Sequence, residues 1–453
     1  LDALVKSYFL RRLLLIPPTL IGITLLVFTI TRFVPGGPMD KMLQEMSRGA
    51  DQGGKPTNNS QSQGGLSEEQ LEEMEEQFGL DKPILLAYCQ WLGIWPRDTR
   101  ISKGEYVERS EETIGGSVDG KTTAVVLLRG DGRLIHVKRN DMEIQSALFA
   151  GTSNPIADEG WKVRLESETD RQQRFKRRNP TVKDADLPKY PPRAVIYKTR
   201  LSGVLQGDFG RSTTYNDPVH SMILERMPIA VYFGLLTAII TYSVCLPLGI
   251  LKALKHRTFI DNSSSILIFF GYSIPGFALG AILLVHLGAR WNLFPLFGME
   301  SPNFDQLDTW GKIKDRVSHT ILPLTCYVVG GFAYLTMLTK NNLMDNLAAD
   351  YVRTAVAKGV GFKKAVFGHA LRNSMIPVAT SLGSLVSIFV GGSMLIERVF
   401  DIQGFGLLQY QAVVDRDAPI IMGTVTIAAF LMLIGHVISD FIVALVDPRI
   451  KFK

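Results

Sequence analysis

Six stretches of the chain are apolar for long enough to cross a bilayer: residues 13–34, 229–251, 264–288, 319–338, 375–395 and 420–445. Each is rich in Leu, Ile, Val, Phe and Ala, with few or no charges. About 20 such residues in a helix match the hydrocarbon thickness of a membrane. Lipid offers the backbone no hydrogen-bond partners, so the runs predict helices. Pro17, Pro18, Pro247, Pro275 and Pro323 would disturb helices in water, but neighbouring membrane helices can satisfy the carbonyls they free. The pattern therefore predicts six spans.

Between the first and second runs the pattern changes. Residues 35–228 are too long for a connecting loop and predict a folded region. Residues 46–65, rich in Gly, Ser, Gln and Asn, read as a flexible link. Ser67-Glu-Glu-Gln70 forms a capping box ahead of a helix to Phe78, with Gly79 as its C-terminal stop. Leu80-Asp-Lys-Pro83 breaks it, and Ile84 to Leu92 predicts a second short amphipathic helix. Further on, Thr122–Leu128 and Arg133–Val137 flank the turn Arg129-Gly-Asp-Gly132, the pattern of a hairpin. Trp161–Leu165 and Ala194–Tyr197 are further strands of a small β-rich domain. The basic run Arg171–Arg178 reads as the solvated face of a helix or linker, with anionic headgroups or an acidic partner as the alternative.

Charge sets the expected orientation. Lys6, Arg11 and Arg12 precede the first run, and Lys252, Lys255, His256 and Arg257 follow the second. Lys340, Arg353, Lys358, Lys363, Lys364 and Arg372 lie between the fourth and fifth, and Arg449, Lys451 and Lys453 end the chain. With six spans all four basic segments fall on one side, which the positive-inside tendency makes cytoplasmic. Both termini are then cytoplasmic, and residues 39–228 lie on the opposite side of the membrane. The first run is too long for a signal-peptide core and lacks a small-residue cleavage site, so it predicts a retained anchor. The chain opens on Leu1 rather than methionine, so a few residues are expected before it.

Composition adds little that the pattern does not contain. The 453 residues are 46% hydrophobic with a formal net charge of +6. The basic excess is explained by cytoplasmic loops better than by nucleic acid. Cys89, Cys245 and Cys326 are widely spaced and suggest neither a disulfide framework nor a metal site.

The segment from Asp350 to Pro377 is the strongest functional candidate. Over Ala349–Lys358, Tyr351, Thr354, Ala355 and Lys358 fall on one helical face. Gly359 and Gly361 let the chain turn. A second helix over Lys363–Arg372 presents Ala365, Val366 and Ala370 as a modest apolar face. A short helix presented this way can dock in a groove of another protein.

These motifs resemble a family. The Asp350–Pro377 segment resembles the loop by which permeases of ATP-binding-cassette (ABC) importers grip their ATPase. The positions carrying that likeness are Arg353, Thr354, Ala355, Lys358, Gly359, Gly361, His369, Arg372 and Pro377. Arg11-Arg-Leu-Leu-Leu15 leading to Val34-Pro-Gly-Gly-Pro38 resembles the first span and exit of B-type permeases of the oligopeptide/dipeptide/nickel class. Phe78–Pro83, Tyr88 and Trp91-Leu92 also resemble that class. So do Gly207, Asp208, Gly210 and Ser212; Gly391, Gly392, Glu397, Gly404 and Gly406; and Asp447, Pro448 and Arg449. Asn303–Leu307, Leu338–Asn341 and Asp447–Phe452 are most similar to the branch that imports oligopeptides and microcin C.

The resemblance implies an all-α polytopic membrane protein with six transmembrane helices of the type I importer permease fold. It carries an extracytoplasmic β-rich insert between helices 1 and 2. The expected segments are 1–38 (N-terminal segment and helix 1), 39–94 (extracytoplasmic helical segment), 95–204 (the β-rich insert) and 205–453 (permease core). It also implies a second homologous permease, two ABC ATPase domains and an extracytoplasmic peptide-binding protein. ATP and Mg bind in the ATPase partners, with no cofactor in this chain. There are departures: the gap from Leu92 to Gly207 is much longer than the family's, Gln403 stands where a proline commonly precedes Gly404, and Arg353 stands where importers commonly have an acid.

The sequence contains no phosphate-binding Gly-x-x-x-x-Gly-Lys-[Ser/Thr] loop, no His-Glu-x-x-His and no Gly-x-Ser-x-Gly elbow. A non-catalytic translocation subunit in the bacterial inner membrane is the leading expectation. A self-sufficient secondary transporter or channel is the alternative, and an anchored enzyme with its site in the insert is a third. His286, His436 and Asp440 lie in apolar runs, where they either serve a polar path or pack with partners.

Overall fold

The computed structural model describes residues 2–33, 79, 82–105, 123–128, 134–140, 143–149, 155–178, 182–184, 187–189, 193–391 and 394–446. The expected link 46–65, the capping-box helix ahead of Phe78, the exit Val34–Pro38 and the turn Arg129–Gly132 lie outside these residues. The chain divides into two compact units, Lys82–Asp208 and a helical unit formed by the rest.

In the helical unit, α1 (Asp2–Phe33), α4 (Val219–Leu254), α7 (Thr309–Ala348) and α13 (Ala418–Val446) are each long and apolar enough to cross a membrane. The third apolar run is not one straight helix. It forms α5 (Phe259–Ser273) and α6 (Gly276–Leu283), with the latter continuing as a π turn to Arg290, and the pair bends by 91°. Counting this pair as one span gives five among the described residues. The run at 375–395 falls mostly in α10 (Leu371–Gly391).

The bend has a local cause. Proline disfavours helical geometry in the residue before it, and Ile274 is extended at φ −97°, ψ 120° ahead of Pro275. Packing then holds the elbow: a Cβ on Gly276 would lie 3.0 Å from the carbonyl oxygen of Cys326, and one on Gly280 would lie 2.9 Å from Phe400. Pro17, Pro18, Pro228, Pro247, Pro323 and Pro377 stay inside their helices.

The helices pack α4 on α7, α10 on α13 and α1 on α13. Gly249 makes the first pairing close, since a Cβ there would sit 2.6 Å from that of Thr339. Small residues of this kind let membrane helices approach and gain dispersion contacts. Asp440 on α13 pairs with Arg12 on α1 at 3.0 Å and accepts the Tyr8 hydroxyl at 3.3 Å. His286 and His436 are exposed.

The other unit begins with α2 (Ile84–Leu92), closed by Gly93 in the left-handed region at φ 86°. Its strands are β1 (Arg97–Glu105), β2 (Thr123–Leu128), β3 (Leu134–Asn140), β4 (Glu143–Phe149), β5 (Lys162–Glu166) and β6 (Arg193–Arg200). They form two antiparallel sheets of order β2-β3-β4 and β1-β6-β5. The expected hairpin is β2–β3, in register with Leu128 opposite Leu134. Ile135 and Val137 alternate inward along β3 and join Phe149, Ile156, Trp161, Ala194 and Ile196 in one core shared by both sheets.

The basic run is the helix α3 (Glu168–Arg178), headed by a reciprocal cap in which Ser167 and Asp170 exchange backbone and side-chain hydrogen bonds. It is not only a solvated face. Arg171 is buried, and Arg174 reaches Glu166 at 2.7 Å. The buried carboxylate of Glu166 also receives Arg193 at 3.0 Å, Arg100 at 3.2 Å and Arg164 at 3.3 Å.

Candidate functional site

The candidate segment begins where α7 ends. Ala349 is extended, and α8 (Asp350–Ala357) starts at once. Val352 is the buried residue of α8 and packs with Ala253 of α4 and Leu343 of α7. The opposite side faces out: Tyr351, Arg353, Thr354, Val356 and Lys358 are exposed, and Ala355 is half-buried.

Gly359 stops α8 in the left-handed region at φ 88°. Its N–H donates to the Val356 carbonyl at 2.9 Å, and the Val360 N–H donates to that of Ala355 at 3.1 Å. This is a Schellman ending, with Val360 supplying the accompanying apolar contact against the Ala253–Leu343 cluster. Gly361 has ordinary angles, φ −58° and ψ 142°, so only the first glycine is required for the turn.

The second helix differs from the sequence expectation. Phe362–Ala365 is a short α9, Val366–Ala370 is a π turn, and α10 continues without a break. Ala365, Val366 and Ala370, expected as an outward apolar face, are buried in the protein itself. They anchor the segment. The outward apolar side chains are Phe362 (61% exposed) and Phe367 (55%), joined by Tyr351 (41%) and Val356 (42%). Sequence reasoning missed the two phenylalanines: Phe362 lies just before the helix drawn from Lys363, and Phe367 lies off the side formed by Ala365, Val366 and Ala370. His369 and Arg372 are exposed, and Pro377 lies within α10.

Two more groups of motif residues become intelligible. Ser212 donates to Asp417 Oδ2 at 2.6 Å, and the Thr213 and Thr214 N–H groups donate to the same oxygen at 2.8 and 3.0 Å. Asp417 also accepts the Ile420 N–H at 3.2 Å, which caps the start of α13. Gly210 is left-handed at φ 83°, and its carbonyl accepts the Val219 N–H at 3.0 Å. Gly207 is likewise left-handed, at φ 79°, and Asp208 accepts the Ser202 hydroxyl within its own unit.

Glu397 is carried by α11 (Met394–Phe400) and is buried. It accepts the Leu407 N–H at 2.6 Å and the Tyr327 hydroxyl at 3.1 Å, so it caps α12 (Phe405–Val414). The flanking glycines make room for it. A Cβ on Gly404 would lie 2.6 Å from the carboxylate, and one on Gly406 would lie 3.0 Å away. Gly391 ends α10 as backbone, and Gly392, Asp447, Pro448 and Arg449 lie outside the described residues. Among the described residues no group of three or more His, Cys, Asp or Glu side chains is arranged to hold a metal.

Long apolar helices, a broken helical elbow and an exposed segment anchored beneath them define a multi-pass helical membrane protein. Residues 245–452 match the family described as "Binding-protein-dependent transport system inner membrane component". The "Inner membrane ABC transporter permease protein YejB" of Escherichia coli O157:H7 is 41% identical over 260 residues, covering 57% of this chain and 71% of that protein. The "Oligopeptide transport system permease protein AppB" of Bacillus subtilis is 36% identical, covering 60% and 88%. The "Peptidoglycan transport system permease protein YejB" of Agrobacterium fabrum is 29% identical over 99% of this chain and 98% of its own. The chain belongs to the inner-membrane permease family of ABC importers.

Proposed function

We propose that this chain is the first permease subunit of an ATP-driven importer that carries oligopeptides or peptide-like molecules, such as microcin C, into the bacterial cytoplasm. It works with a second homologous permease, two ATPase domains that bind ATP and Mg, and a periplasmic peptide-binding protein. The chain itself catalyses no reaction. It contributes six spans with both termini cytoplasmic, and residues 39–228, including the β-rich unit, are periplasmic.

The observation that carries the reading is the Asp350–Pro377 segment. Val352, Ala365 and Ala370 fix it to α4 and α7 from behind, while Tyr351, Val356, Phe362 and Phe367 remain exposed in front. Exposed apolar side chains on short, anchored helices can enter a groove in a partner protein. ATP-driven closure of the ATPase pair then moves this segment as a body, and the attached spans rock between inward and outward states.

Deleting Ala355–Gly361 in the assembled complex tests the reading. Loss of ATPase binding and of substrate-stimulated hydrolysis is expected, and their persistence would refute it. Uptake that collapses with an ionophore yet survives ATP depletion would instead support a secondary transporter or channel. A second substrate reading, peptides released from peptidoglycan, is favoured by the end-to-end match to the Agrobacterium relative. Competition of uptake by a muropeptide against an unrelated oligopeptide separates the two.

A further inference from the structure

Where α4, α5 and α7 meet, one carboxylate holds two buried lysines. Lys340 on α7 donates to both oxygens of Asp261, at 2.7 and 2.9 Å. Lys252 on α4, wholly buried, lies 3.1 Å from the same carboxylate. Its ammonium also donates to the Asp261 carbonyl and to the hydroxyls of Ser264 and Ser265 on α5, at 2.8, 2.9 and 2.7 Å. Asp261 further accepts the Arg257 N–H at 3.0 Å, in a turn where Arg257 is left-handed at φ 60°, and His256 stands 3.3 Å away.

We propose that Asp261 is a positioning residue for transport, locking α4, α5 and α7 into one body that passes movement of the Asp350–Pro377 segment to the α5–α6 elbow. The placement supports this. Lys340 lies on the helix that runs into α8 with one residue between them. Ala253, adjacent to Lys252, packs on Val352 of α8 itself. Asp261 occupies the first turn of α5, whose other end is the 91° bend. Without the carboxylate, α7 can slide against α4 and α5 and absorb a displacement that the intact cluster transmits. Ionic contacts among desolvated groups are suited to this because their geometry is directional, whereas apolar side chains allow slippage.

The inference rests on reading Asp350–Pro377 as the ATPase contact, and the experiment keeps the two separate. The full complex is reconstituted in liposomes and supplied with labelled trialanine. ATPase co-purification, ATP hydrolysis and peptide uptake are measured for Asp261→Asn, Lys340→Arg and the double variant Asp261→Asn/Lys340→Met. The double variant removes both charges of the main pair, so it leaves no lysine at position 340 facing a missing partner. Asp261→Asn and the double variant should retain co-purified ATPase and basal hydrolysis, with the peptide KM unchanged. Their uptake per ATP should fall about tenfold, a loss in keeping with removal of a buried ionic partner. Lys340→Arg should stay near wild type. Undiminished uptake per ATP in Asp261→Asn overturns the proposal. So does a double variant that fails to assemble, which assigns the cluster to folding alone, or loss of ATPase co-purification, which assigns it to shaping the docking face. If the Ala355–Gly361 deletion retains its ATPase, the docking reading fails while the uptake ratio of the Asp261 variants is still readable.

Discussion

Acidification should loosen the β-rich unit through Glu166 in a definite pH window. Burial by itself raises the pKa of this carboxyl. The hydrogen bond from Arg174 and the charges of Arg100, Arg174 and Arg193 outweigh burial and hold the value at about 2, against 4.5 for the ordinary group. A folded pKa below the unfolded one means the ionised form stabilises the fold. That stabilisation is complete above the unfolded value and is lost as pH falls from 4.5 toward about 2. The gap corresponds to about 3 kcal/mol, which solvent screening around the cluster reduces to about 2 kcal/mol. About 2 kcal/mol is roughly a 30-fold change in an opening equilibrium. Hydrogen–deuterium exchange of the β6 amides in the full-length, detergent-solubilised protein reads this directly, after correction for intrinsic exchange rates. Wild-type protection should drop by roughly that factor across the window. Glu166→Gln should begin with the lower protection at neutral pH, and its difference from wild type should vanish in acid. Equal protection of the two proteins at pH 7 would refute the account of the arginine cluster.

Three further outcomes follow from the geometry. Asp417→Asn should lower thermal stability in detergent by about 2–3 kcal/mol, since a buried carboxylate then loses charge-assisted bonds, whereas Ser212→Ala should cost about 1 kcal/mol. Gly404→Ala forces a Cβ to 2.6 Å from the Glu397 carboxylate, so peptide uptake should fall while ATPase co-purification is unchanged. Gly359→Val places a β-branched residue at φ 88°, a strain of about 1–2 kcal/mol, and should weaken ATPase retention in pull-downs of the assembled complex.

What the sequence showed was local. The α8 helix was legible because Tyr351, Thr354 and Lys358 recur at helical spacing and Gly359 marks the stop. The β2–β3 hairpin was legible because apolar residues flank a Gly-Asp-Gly turn. β1 was not, because Arg97–Glu105 is almost wholly polar and becomes a strand by pairing with the buried β6, a tertiary influence that propensity does not contain. The break in the third apolar run was only half legible. Pro275 was visible, but its neighbours Gly276 and Gly280 hold the bend through Cys326 and Phe400, which are distant in sequence. Asp417 and Asp261 escaped notice for the same reason. Asp417 meets Ser212 across 205 positions, and Asp261 meets Lys340 across 79. Conversely, Gly404 and Gly406 were found by likeness alone, and it is the packed Glu397 carboxylate, joined at Gly406 by the Met394 backbone, that leaves little room for a side chain there.

The π turn at Val366–Ala370 has a consequence for how this segment can change over time. A π turn holds one residue more than an α turn, so its loss re-phases everything on one side by about 100°. Deleting a single residue there would leave an uninterrupted α-helix entering α10, with backbone hydrogen bonding intact. Phe362 and the rest of α9 would then turn around the axis of α10, while α8 stays held by its one-residue link to α7 and by Val352. Point substitutions adjust what the outward face is made of; a one-residue indel would redirect where that face points.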